Sequence, residues 1–166
     1  EVVRFTDLID FASFENMLNE PGPWVAGFDF PFGQSRKLVT NIGWSMTWEG
    51  YVKEVAEMAK EQYVDALNDY KKERVVGDKE HRRTTDIRSG SISPQKLYGV
   101  PVGKRFFEGA PRLLRSNVSI LPVRPNNNNR IALEAYPALV ARRWALKQGY
   151  KSDTKSKQTG AHLFAR

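Results

Sequence analysis

Two acids stand where a strand-end carboxylate can do chemistry. Trp24-Val25-Ala26-Gly27-Phe28 is a near-continuous apolar run, and Asp29 follows it directly, ahead of Phe30-Pro31-Phe32-Gly33. Proline lacks the donor that a sheet ladder needs, so the chain leaves the sheet at this point. A carboxylate at the carboxyl end of a buried strand is where open α/β sheets place ligand-binding groups. The same aspartate equally serves to cap the turn that follows it. Glu134 repeats the arrangement at the end of Ile131-Ala132-Leu133, ahead of Tyr136-Pro137. If the two strands are neighbours the carboxylates converge, and like charges that close need a cation, a proton or an arginine. Magnesium, or manganese in its place, suits carboxylate oxygens, and paired acids beside phosphate are a common way to build a hydrolytic phosphoryl site. The competing reading pairs Glu134 with one of the many arginines.

The cations that would meet a phosphate come from two regions. His81-Arg82-Arg83-Thr84-Thr85-Asp86 gathers basic groups, hydroxyls and a third acid. Arg82 and Arg83 are candidates to clamp phosphate, and Asp86 to complete a metal shell or position water. A charge run of this kind is also what a solvated loop looks like. Residues 96–130 are more one-sided, with Lys96, Lys104, Arg105, Arg112, Arg115, Arg124 and Arg130 against Glu108 alone. Tyr98, Phe106 and Phe107 lie among them. That mixture suits a nucleic-acid backbone with base stacking, Lys104 being a substrate-binding candidate, while the aromatics fit a core equally well. His81 and His162 cannot make a three-histidine metal site, no G-x-S-x-G elbow occurs, and the glycines before Lys104 are wrongly spaced for a phosphate loop.

These residues need a folded frame, and the composition supplies one. The chain has 166 residues, 40% hydrophobic and 11% aromatic, which suits a single domain with a real core. It has no cysteine, so disulfides, thiolate zinc sites, iron–sulfur clusters and thiol nucleophiles are excluded. No apolar run approaches the roughly 18 residues that span a bilayer. No signal-peptide pattern opens the sequence, so the expected location is the cytoplasm. The balance of 26 basic against 19 acidic residues, +7, directs attention to phosphate-bearing partners, nucleic acid first.

Local patterns predict the elements. Val2, Val3 and Phe5 read as a strand, and Asp10 as the N-cap of a helix with Phe11, Phe14 and Leu18 on one face, stopped by Pro21-Gly22-Pro23. The Trp24 to Phe28 run reads as a strand covered on both faces. Trp44 and Trp48 lead into the longest helix, with Val52, Val55, Ala56, Ala59, Tyr63, Ala66, Leu67 and Tyr70 at helical spacing. Residues 71–125 read as an irregular basic insertion, opening with a loop or lid over 71–90. Pro137 opens a helix through Ala145. Strands and helices in this alternation define an α/β fold with a mixed sheet flanked by helices.

The run from Trp24 to Gly33, with Asp29 at its centre, resembles the apolar-Asp-apolar-Pro-apolar-Gly signature of the family called domain of unknown function 429. Arg83-Thr84-Thr85-Asp86 is similar to that family's R-x-x-D element, with Thr85 where the family often has cysteine. Ile131 to Pro137 is similar to its strand ending in E-x-aromatic-P, and Lys155-Ser156-Lys157-Gln158-Thr159, with Arg166 behind, to its S-K-x-T segment. The resemblance implies a ribonuclease H-like fold and a predicted metal-dependent nuclease activity, by analogy of fold. It puts Asp29, Asp86 and Glu134 at acidic positions and Arg83 and Lys157 at basic ones. Sheets of that fold begin with a strand bearing an essential aspartate, whereas this chain opens at Glu1 without Met. The expectation is therefore a fold entered partway, with its N-terminal strands and first acid outside the sequence, or else an incomplete metal site. The leading reading is a magnesium-dependent hydrolase of nucleic-acid phosphodiesters. Its alternatives are a non-catalytic nucleic-acid or nucleotide module whose acids pair with arginine, and a hydrolase or transferase acting on a small phosphorylated metabolite.

Overall fold

Aromatic and β-branched residues between Pro23 and the Asp29-Phe30-Pro31 turn favour an extended segment. In the computed structural model, which describes residues 2–144, that segment is strand β1 (Trp24–Phe28). Strands β2 (Ser119–Leu121) and β3 (Arg130–Glu134) complete a three-stranded sheet of order β1-β3-β2. Both pairings are parallel, where the sequence suggested a mixed sheet. The β1–β3 register runs from Trp24 opposite Arg130 to Phe28 opposite Glu134.

The chain between β1 and β2 crosses over through helices, whereas residues 122–129 join β2 to its parallel neighbour β3 without one. In α1 (Phe11–Leu18) the Asp10 carboxylate accepts from Ser13 N at 2.7 Å, the capping role its position predicts. Helix α2 (Arg36–Ile42) is capped by Ser35 and closed by Gly43, whose φ of 81° is costly for a residue bearing Cβ. The long helix expected from Trp48 onward is two: α3 (Trp48–Ala56) and α4 (Lys60–Lys72). The break comes where Gln62 Oε1 takes the Ala59 N–H at 2.7 Å and starts a new helix. Apolar spacing does not mark it, because Val52, Val55, Tyr63 and Leu67 face the core on both sides of the break. Ala56 and Ala59, placed on that face by spacing alone, are exposed.

Residues 71–125 are irregular only in part. They hold α5 (Thr84–Ser89), α6 (Val102–Arg115) and β2. Gly103, Gly109 and Pro111 sit inside α6, all buried, so the residues that look like turn signals are packing sites. Tertiary contact overrides propensity there. Helix α6 packs on α3 and α4, and Phe106, Ala110 and Leu113 join Val118, Ile120 and Ala132 in one core.

One face of the sheet carries Ile120 and Ala132 into that core, and the other does not, with Val25 66% exposed. The expected two-sided burial of β1 is thus one-sided. Residues Val2 to Phe5 form no strand. The larger unit ends at Glu134; the second begins at Ala135 and, among the described residues, holds α7 (Pro137–Trp144), opened by Pro137 as expected. None of the described helices is long and apolar enough to cross a membrane.

Candidate functional site

The turn after β1 is fixed by close packing. A Cβ on Gly109 would stand 2.3 Å from the Phe30 ring, and one on Gly33 would stand 2.6 Å from the Tyr51 hydroxyl oxygen. Phe32 is buried, and its carbonyl accepts from Trp48 Nε1 at 2.6 Å. Gln34 N donates to the Tyr51 hydroxyl at 3.3 Å, and burial pushes that hydroxyl up to about 12, so it stays neutral. The Phe-Pro-Phe-Gly segment is therefore a rigid shelf beside the strand ends.

Glu134 is bound to this shelf. Its Oε2 accepts the Phe32 N–H at 2.8 Å. Arg83 then forks onto the same carboxylate, Nη1 to Oε2 at 2.8 Å and Nη2 to Oε1 at 2.6 Å. The guanidinium also grips Asp86, with Nε to Oδ2 at 2.9 Å and Nη2 to Oδ1 at 2.6 Å, and reaches the Gly33 carbonyl at 3.2 Å. Asp86 caps α5 by accepting Arg83 N at 2.8 Å, and Ser91 Oγ adds a bond at 3.0 Å. One guanidinium thus ties the start of α5 to the end of β3 and to the shelf.

The charge states follow from these contacts. Burial opposes ionisation of Asp86, but the Arg83 guanidinium, the Arg83 N–H and the Ser91 hydroxyl outweigh it and hold the carboxyl below the ordinary range. Burial likewise works against Arg83, yet two carboxylates raise its affinity for the proton above the usual arginine value. The cluster is two carboxylates on one cation, with the Glu134 side chain 32% exposed and Asp86 only 4%.

The structure places the other predicted residues elsewhere. Asp29 lies one residue beyond Phe28, the register partner of Glu134, so the two acids do come from adjacent strands. Asp29 is exposed, is not bonded to the Arg83 cluster, and lines a cleft with Lys104 and Arg105. Arg82 is exposed beside the cluster. Lys157 lies outside the described residues. The basic run over 96–130 is largely structural: Arg124 donates to the carbonyls of Leu114 and Ser116, and Arg130 to that of Leu18. Arg112 and Arg115 pair with Glu15. Phe106 is core and Phe107 packs against it, which leaves Tyr98 as the exposed aromatic of the three. His81 is buried, with Nε2 2.7 Å from the Tyr70 hydroxyl.

Magnesium commonly takes one or two carboxylates and keeps several waters. Asp29, an exposed carboxylate without a partner among the described residues, and Glu134, partly exposed one register step away, fit such a water-rich ion in donor type. The described residues contain no group of three His, Asp or Glu side chains arranged for a metal, so a closed protein cage does not fit. Glu134 would share its oxygens with Arg83.

Sequence reasoning missed the Phe32 N–H, the Gly33 carbonyl, Ser91 and the Gly109 seat. The first two are backbone groups, and no residue type signals them. Gly109 was visible as a glycine, but only the fold shows that Phe30 occupies the space a side chain would fill. No protein-family model, no curated protein and no solved structure matches the chain.

Proposed function

We propose that the chain is a ribonuclease H-like, metal-dependent hydrolase of nucleic-acid phosphodiesters, a member of the family its motifs resemble. The observation that carries the reading is the parallel register of β1 and β3, which brings Asp29 and Glu134 to the same end of neighbouring strands. In this reading Asp29 and Glu134 hold magnesium, which neutralises phosphate charge and supplies an activated water when bound. Arg83 fixes the position of Glu134 through both carboxylate oxygens. Asp86 holds Arg83 in place and steadies α5, a positioning role in place of direct contact with water or metal. Arg82, Lys104 and, beyond the described residues, Lys157 meet the phosphate backbone.

A second reading has a specific observation in its favour. Both Glu134 oxygens already accept from Arg83, which is how a nucleic-acid or nucleotide module without catalysis would keep its acids. Magnesium titration separates the two by melting temperature. The hydrolase shows a metal-dependent rise that Glu134→Gln weakens. The binding module responds to nucleic acid and not to metal. A small phosphorylated metabolite as substrate would give a shallow dependence of affinity on salt, whereas a polyanion gives a steep one.

A further inference from the structure

Between α1, α6 and the turn after β1 lies an open cleft of about 560 Å³, inside the size range of small-ligand sites. Leu8, Phe11, Phe14 and Phe30 make its wall apolar, and Leu8 and Phe11 keep 43% and 50% of their surface exposed. Half of the charged residues around it are already spent. Asp10 accepts from Ser13, Glu108 from Lys60 and Arg112, and Arg112 pairs with Glu15 while its guanidinium carbon sits 3.5 Å from the Phe11 ring centroid. Lys104, Arg105 and Asp29 have no side-chain hydrogen bond or ion pair among the described residues. Two unpaired cations beside an exposed ring and an apolar wall suit a phosphate that carries a flat apolar body.

We infer that this cleft seats one nucleotide unit, its base against Phe11 and Leu8 and its phosphate on Lys104 and Arg105. The inference rests on the proposed hydrolase for its meaning, since a unit seated there brings its phosphodiester to Asp29 at the cleft edge. Of the aromatics suggested for stacking by sequence, Phe106 belongs to the core, Phe107 packs against it and the exposed Tyr98 does not line this cleft, so Phe11 takes that role from a different element.

Adenosine 5′-monophosphate, inorganic phosphate and octyl phosphate, each titrated calorimetrically in EDTA, test it. The nucleotide should bind at least tenfold more tightly than either of the others. The double variant Lys104→Ala/Arg105→Ala should weaken it at least tenfold and Phe11→Ala about tenfold, in line with the usual contribution of base stacking, with unchanged thermal melting for the double variant. No nucleotide binding, equal or tighter binding of either other ligand, or wild-type affinity in the double variant overturns the assignment. Glu134→Gln, outside the cleft, separates this from the hydrolase reading: it should leave nucleotide affinity within twofold. Nucleotide binding without phosphodiester hydrolysis by the wild type keeps the cleft and removes the hydrolase. Hydrolysis whose KM ignores Lys104→Ala/Arg105→Ala keeps the hydrolase and removes the cleft.

Discussion

Arg83 reaches Glu134 across 51 residues of sequence and holds both of its carboxylate oxygens, at 2.6 and 2.8 Å. The same guanidinium holds Asp86, so removing it costs more than one ion pair. Arg83→Met leaves a nearly buried carboxylate uncompensated and should destabilise the fold by about 3 kcal/mol. Glu134→Gln keeps the Phe32 N–H acceptor and loses one charge-assisted contact, costing about 1 kcal/mol. Urea unfolding of both variants checks the ordering; equal losses would show that Asp86 does not depend on Arg83.

Asp86 makes stability acid-sensitive. Its native pKa is depressed, so the unfolded chain takes up a proton first as pH falls. Its contribution is complete above the unfolded value of about 4 and is lost as pH drops through the lower native value. Asp86→Asn should abolish that slope, measured as unfolding free energy between neutral pH and the acid limit. A slope unchanged from wild type would assign the acid response to other carboxylates.

His81 acts in a higher window. Burial first, then Lys37 and Arg74 against the opposing pull of Asp78, depress its pKa, while the Tyr70 hydroxyl meets Nε2. The neutral ring is the folded form, so stability is complete above about pH 6.5 and declines as pH falls toward the native value. His81→Gln should flatten thermal stability across that range. Persistence of the full decline would clear His81 of the effect.

Gly109 tests the shelf. An added methyl meets the Phe30 ring at 2.3 Å, inside a buried helix face, so Gly109→Ala should cost about 1–3 kcal/mol despite its better helix propensity. Phe30→Leu in the same chain should recover part of the loss. A Gly109→Ala variant as stable as wild type would mean that the turn yields easily.

Much of this frame was legible in the residues. Pro23, Asp29 and Pro31 bounded β1, and Asp10 and Pro137 opened their helices as their chemistry predicts. The strands that end at Asp29 and Glu134 pair side by side, which is the condition the sequence set for the two acids to share one edge. Other readings failed because tertiary packing sets the use of glycine, proline and charge. Gly103, Gly109 and Pro111 signal turns locally and line a helix in the fold. The arginines of 96–130 look like a surface for a polyanion, yet Arg124 and Arg130 spend their donors on backbone carbonyls. Arg83 stood out in the sequence as a phosphate clamp, yet the fold spends its guanidinium on Asp86, Glu134 and the Gly33 carbonyl.

Under the proposed function, Asp29 and Glu134, at the ends of paired parallel strands, serve hydrolysis of a phosphodiester. The most direct measurement is the initial rate of cleavage of a DNA and RNA oligonucleotide panel against magnesium concentration, for wild type and Asp29→Asn. Asp29 is exposed and bonded to no described side chain, so the variant should fold as wild type does. A hydrolase of this kind shows magnesium-dependent cleavage that Asp29→Asn reduces at least a hundredfold. Cleavage unchanged by Asp29→Asn, or no cleavage of any substrate by the wild type at any magnesium concentration, contradicts it.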